Sequence, residues 1–193
     1  MSEPLWIRAY RRSIRLWLAK MKPVASRVVN IPRKKRPFRE VPAASLQEYG
    51  EWLADHAKYK PDLLGEGFDS FPALGHLQWQ LETRGYIEDD CDGLAYFSAR
   101  QVLRFCDSPQ DCYVVSIVLD PRGTEKKLEE TLHALCIFKS GGRWRVIECQ
   151  HLHGDEHPTF DEALRENSYT RGERILYWER RNAWLELVDS GVS

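Results

Sequence analysis

At Cys112 the chain changes its periodicity, and that switch limits the fold more than any other feature. Upstream, apolar residues recur at three- and four-residue steps. Downstream, Cys112–Leu119 (CYVVSIVL) is an unbroken, β-branched run, and Leu132–Lys139 and Arg143–Gln150 are two further strand-like runs joined at Ser140-Gly141-Gly142. The two spacings are incompatible, because a helix aligns i, i+3 and i+4 whereas a strand aligns i and i+2. Paired glycines supply the positive-φ positions of a tight hairpin. Helices first and an antiparallel sheet afterwards predict an α+β domain.

The helical half has its own punctuation. Trp6, Tyr10, Ile14, Trp17 and Met21 share a face and predict a helix over 4–21. From Lys22 to Pro42 come Pro23, Pro32, Pro37, Pro42 and the cluster Arg33-Lys34-Lys35-Arg36, which reads as an extended arm. Ser45 with Glu48 has capping-box spacing and opens a helix to about Lys58. Residues 59–72 read as loop, and a short helix follows from about Pro72 to Thr83. Asp90 caps a helix from Cys91 to about Phe105, and Thr159 caps one over 160–167. Residues 174–188 fit either a helix or a final hairpin, and strands are preferred.

Charge divides the chain at the same place as the prolines. Residues 1–40 hold twelve Lys/Arg against only Glu3 and Glu40, so a net charge of −1 conceals a basic arm on an acidic body. Two units are expected, an arm over 1–42 and a globular domain over 43–193. The arm reads best as a segment that packs on its own body or on another subunit's acidic surface. Nucleic acid and an anionic membrane rank behind. Five cysteines, an odd number without a Cys-x-x-Cys pair, suggest free thiols in a reducing compartment. With no signal-peptide pattern and no run near the roughly 20 apolar residues of a membrane span, a cytoplasmic location is expected, and a phage-encoded origin is left open.

One of those thiols stands out. In Asp89-Asp90-Cys91-Asp92-Gly93 the cysteine occupies a helix start, where unpaired N–H groups favour a thiolate and an oxyanion. The neighbouring aspartates oppose the thiolate, so activation would fall to a histidinium. His133 begins one strand of the hairpin, and a turn near 140–142 sets it opposite about position 148 or 149, within reach of Glu148. A carboxylate there would orient the imidazole as the third member of a triad.

These residues also resemble a family. Trp79, Gly85 and Asp90-Cys91-Asp92 through Ala95 resemble the W…G(D)C(D)…A signature of the transglutaminase-like superfamily, whose bacterial and phage members include cysteine proteinases. His133-Ala134-Leu135, Gly142-Arg143-Trp144 and Val146-Ile147-Glu148 resemble its HAW…GRW…VD hairpin, with the same fifteen-residue step from His to acid. The resemblance spans about residues 72–150. It implies a transglutaminase/papain-like fold with Cys91 as nucleophile, His133 as base and Glu148 as orienting acid. It also implies a protein or peptide substrate and no cofactor. Trp79, Asp92 and His151 are candidates for the oxyanion site and cleft. The chain departs from the pattern with Glu for Asp at 148 and with Tyr86–Asp90 inserted before the cysteine. Cys149, His151, His153 and His157 form a rival zinc cluster, ranked low because structural zinc ligands usually come as pairs from separated segments. The other competing reading is a non-catalytic module of a phage or bacterial assembly on the same fold, contacting its partner through the arm.

Overall fold

The computed structural model describes residues 4–61 and 71–192, so most of the loop expected over 59–72 lies outside the described residues. Helix α1 (Leu5–Leu16) runs through a π turn (Trp17–Met21) into α2 (Lys22–Val29). Then come α3 (Leu46–His56), β1 (Ala57–Tyr59), α4 (Leu74–Arg84), β2 (Ile87–Asp89) and α5 (Cys91–Val102). The second half contains β3 (Cys112–Leu119), β4 (Leu132–Ser140), β5 (Arg143–Glu148), β6 (His151–Leu152), α6 (Phe160–Arg165), β7 (Ile175–Asn182) and β8 (Leu187–Gly191). The six strands β3–β8 form one antiparallel sheet in the order β6-β5-β4-β3-β7-β8, and β1 and β2 make a separate parallel pair. This is the α+β class expected.

The caps act as their residue types predict. Ser45 Oγ accepts the Glu48 N–H at 3.1 Å, while Glu48 returns to the Ala44 N–H at 2.8 Å. Thr159 caps α6, and Gly85, at φ 79°, ends α4 in the left-handed conformation that glycine adopts freely.

The sheet is buried on both faces, which is why its central strands are apolar throughout instead of alternating. One face carries Val114, Ala134, Cys136, Phe138 and Ile147 beneath α5. Small residues on both sides let helix and strand approach closely, and Cys112 Sγ lies 3.3 Å from the Ala99 carbonyl. The opposite face carries Val115, Ile117, Leu135, Ile137 and Val146 beneath Ala163, Leu164 and Tyr169.

The N-terminal segment differs from expectation. Its helix does not stop at residue 21 but continues to Val29, past Pro23. Proline lacks the N–H that Leu18 O would receive from the fifth residue on, and Lys22 N–H goes to Trp17 O instead. The π turn takes up the mismatch. It leaves the buried Leu18 carbonyl to accept from Arg181 Nη2 at 3.1 Å. The helix lies on the body through Ile7 and Leu18, which cluster with Val118, Leu132, Leu176 and Tyr177. Beyond it, residues 33–43 follow α4 and α5: Arg36 N–H donates to Gly75 O at 2.7 Å, and the buried Gln101 amide bridges Val41 N–H and Arg39 O.

Candidate active site

Three short-range features set the start of α5. The β1–β2 pairing ends at Tyr59↔Asp89, with Lys60 N–H donating to Asp89 O at 2.9 Å. Asp89 Oδ1 accepts the Asp90 N–H, and Asp90 Oδ1 accepts the Gly93 N–H, each at 3.0 Å. A Cβ at position 93 would stand 2.5 Å from the Asp89 carboxyl carbon, so glycine is required there. Cys91 is therefore the first residue of a capped helix, and it is only 4% exposed. Its neighbour Asp92 is buried in an ion pair with Lys22 of α2, whose ammonium also sits over the Phe71 ring at 4.4 Å. The arm thus packs over the helix start and supplies the cation that pairs with Asp92.

His133 and Glu148 meet as expected, but along a diagonal. The two-residue turn closes at Ser140↔Arg143, so Glu148 faces Leu135, not His133. Residues 133 and 135 share a face of β4, and the imidazole leans along the strand to place Nε2 3.2 Å from Glu148 Oε1. Cys149, at φ 49°, then bends the chain out of β5.

More residues join this pair than the sequence indicated. Ser168 Oγ donates to Glu148 Oε2 at 2.5 Å, and His153 Nε2 stands 3.3 Å from the same oxygen, outside hydrogen-bond alignment. The Tyr169 ring packs against the imidazole at 4.4 Å between centroids, with its hydroxyl on Glu130 O at 2.8 Å. Burial pushes the Glu148 pKa up. Hydrogen bonding from His133 and Ser168, with the imidazole of His153 close by, outweighs it and holds the carboxyl well below the usual carboxylate range. Ser168 and Tyr169 come from a stretch with no helical or strand period, so only their proximity in the fold reveals them. His153 has a sequence signal, the histidine cluster after β5, whose zinc reading ranks low and whose His151 or His153 is the alternative choice for the rim of the site. Among the described residues no group of three or more His, Cys, Asp or Glu is arranged to hold a metal ion.

The other candidates lie elsewhere. Trp79 stacks on His76 at 5.7 Å between centroids and carries Lys34 and Arg84 over its ring, so its contacts are with its own helix and, through Lys34, with the docked arm. His151 is exposed, pairs in register with Glu148, and lines a groove between α3 and β6 with Ser45 and Gly50.

Cys91 and the His133–Glu148 pair reach the same end of the sheet. The Cys112–Ala99 contact and the pairing Cys112↔Phe138 set the far end of α5 beside the end of β4, so the helix runs back toward Ala134. The pleat, however, separates their faces. Ala134 and Cys136 point to α5, and His133 points to the side of Leu135 and Tyr169. Fold and site thus define an α+β domain with a capped-helix thiol and an imidazole–carboxylate pair flanking one end of a buried strand. No protein-family model matches the chain, and no curated protein matches it.

Proposed function

We propose that this chain is an amide-directed thiol enzyme of the transglutaminase/papain type, hydrolysing a peptide or side-chain amide. The reading is carried by one observation, the His133 Nε2–Glu148 Oε1 contact at 3.2 Å beside the end of the sheet that α5 approaches with Cys91. A carboxylate on Nε2 fixes that nitrogen as the protonated one and leaves Nδ1 as the base. The thiol would give its proton to Nδ1 and attack the carbonyl carbon. N–H groups at the start of α5 would hold the oxyanion. His133 would then protonate the departing amine, and water would release the acyl group. Because His133 belongs to the opposite pleat, thiol and imidazole must meet around the first residues of β4, not across its face.

A second reading rests on the burial of Cys91 and the Lys22–Asp92 pair above it: a non-catalytic interaction module on this fold. Alkylation with iodoacetamide near pH 6, followed by peptide mass spectrometry, separates the two. The enzyme reading expects Cys91 to react at least about tenfold faster than the other four thiols and to lose that advantage in His133→Ala. Equal labelling at all five cysteines, or a Cys91 rate indifferent to His133→Ala, would leave the module.

A further inference from the structure

We propose that the outer face of the N-terminal helix is a docking surface for a membrane that carries anionic lipid. The body uses only the inner stripe of this helix, with Ile7, Leu18, Lys22 and Ser26 all buried. The opposite stripe is apolar and open to solvent: Leu5 is 77% exposed, Leu16 52%, Met21 51%, Val24 57% and Val28 61%. In a regular helix advancing about 100° per residue these positions would spiral away from one another. The π turn inserts one residue and swings Val24 and Val28 back into line with Leu5 and Leu16. Trp6 and Ile31, 55% and 76% exposed, extend the stripe at its ends.

Its rim is of one sign. Arg8, Arg12, Arg15, Lys20 and Arg27 are exposed along it, and residues 4–39 contain no carboxylate side chain. An apolar stripe with a purely cationic rim is the pattern of a helix lying in a lipid interface. Phosphates of nucleic acid would satisfy the rim and leave the stripe in water. Two copies meeting through this face would set arginines against arginines. An anionic bilayer supplies both the apolar interior and the opposite charge. No helix among the described residues is long and apolar enough to cross a membrane, so the surface lies on one.

The test is co-sedimentation of the full chain with vesicles of phosphatidylcholine containing about one third phosphatidylglycerol. Binding is expected there, weakened at least about tenfold on pure phosphatidylcholine and again at high salt. Leu16→Asp with Val24→Asp, both pointing away from the body, should abolish binding while the thermal midpoint stays near that of the parent. Arg8→Glu with Arg12→Glu should do the same through the rim. No binding to anionic vesicles, equal binding to neutral ones, or binding unchanged in either double variant would overturn the proposal. So would light scattering that shows a dimer which the aspartate variants dissociate, since the face would then belong to a second copy.

Discussion

Replacing Arg181 by methionine tests how the N-terminal helix is held. The guanidinium makes three contacts in a nearly dry space: Nε to Glu179 Oε1 at 2.9 Å, Nη1 to Leu185 O at 3.0 Å and Nη2 to Leu18 O at 3.1 Å. Arg181 is 5% exposed and Glu179 1%. Without the cation, Glu179 retains the Tyr177 hydroxyl at 3.2 Å, and the Leu18 carbonyl loses the donor that replaced its missing helical one. Removing one partner of a buried pair costs about 3–5 kcal/mol, which at roughly 2–4 °C per kcal/mol for a domain of this size lowers the melting midpoint by roughly 6–20 °C. Adding Glu179→Leu removes the stranded charge, and the double variant is expected to regain most of the loss. Urea or thermal unfolding followed by circular dichroism measures all three proteins. A single variant within about 1 kcal/mol of the parent, or a double variant no better than the single, would refute the account.

Two further outcomes follow from the site and the arm. Glu148 has a folded pKa below its unfolded value, so its stabilising effect is full above the unfolded pKa of about 4.3 and disappears as pH falls through the folded one. The stability gap between parent and Glu148→Gln should therefore shrink steadily from pH 5 downward, and a gap independent of pH in unfolding titrations would exclude the linkage. Gly75→Ala would set a Cβ 2.7 Å from the Arg36 carbonyl oxygen, a backbone atom with little room to retreat. A loss of about 1–3 kcal/mol is expected, with faster amide exchange over residues 33–39, and unchanged exchange would show that the arm is not seated on α4.

Much of the architecture is legible in the sequence where local chemistry and tertiary packing agree. Ser45, Asp90 and Thr159 cap helices because a short oxygen side chain fits an open helix N-terminus wherever it is placed. Ser140-Gly141-Gly142 makes the hairpin because both glycines take positive φ, and β3 coincides with its β-branched run. The final hairpin, β7 and β8, also follows the preference for strands over 174–188. Continuation of the first helix past Pro23 is less accessible, because it depends on Arg181, more than 150 residues away, to satisfy the carbonyl that proline orphans. The β1–β2 pair has three residues per strand, too few to show a period.

At the site, the fifteen-residue interval between His133 and Glu148 survives as a real contact because a tight hairpin converts sequence distance into register. The sidedness of β4 does not come through, since a strand covered on both faces is apolar at every position and Ala134 and Leu135 look equally inward. Ser168 and Tyr169 are positioned by the turn after α6, where Asn167 accepts the Tyr169 and Thr170 N–H groups through its side chain. A one-residue Asn turn leaves no periodic trace.

The π turn at Trp17–Met21 acts as a phase correction between two halves of one rod. In a uniform helix Lys22 and Ser26 would lie about 40° and 80° round from Leu18, turning the Ser26 hydroxyl from the Phe71 N–H that it accepts. The extra residue turns a mismatch in angle into a single straight seam. Deleting any one residue there should leave a helix of similar length and rotate its second half away from the body, separating the Asp-Cys-Asp corner from the buried Lys22. The proline that looked like a terminator is thus part of a gear that keeps the arm in mesh with the start of α5.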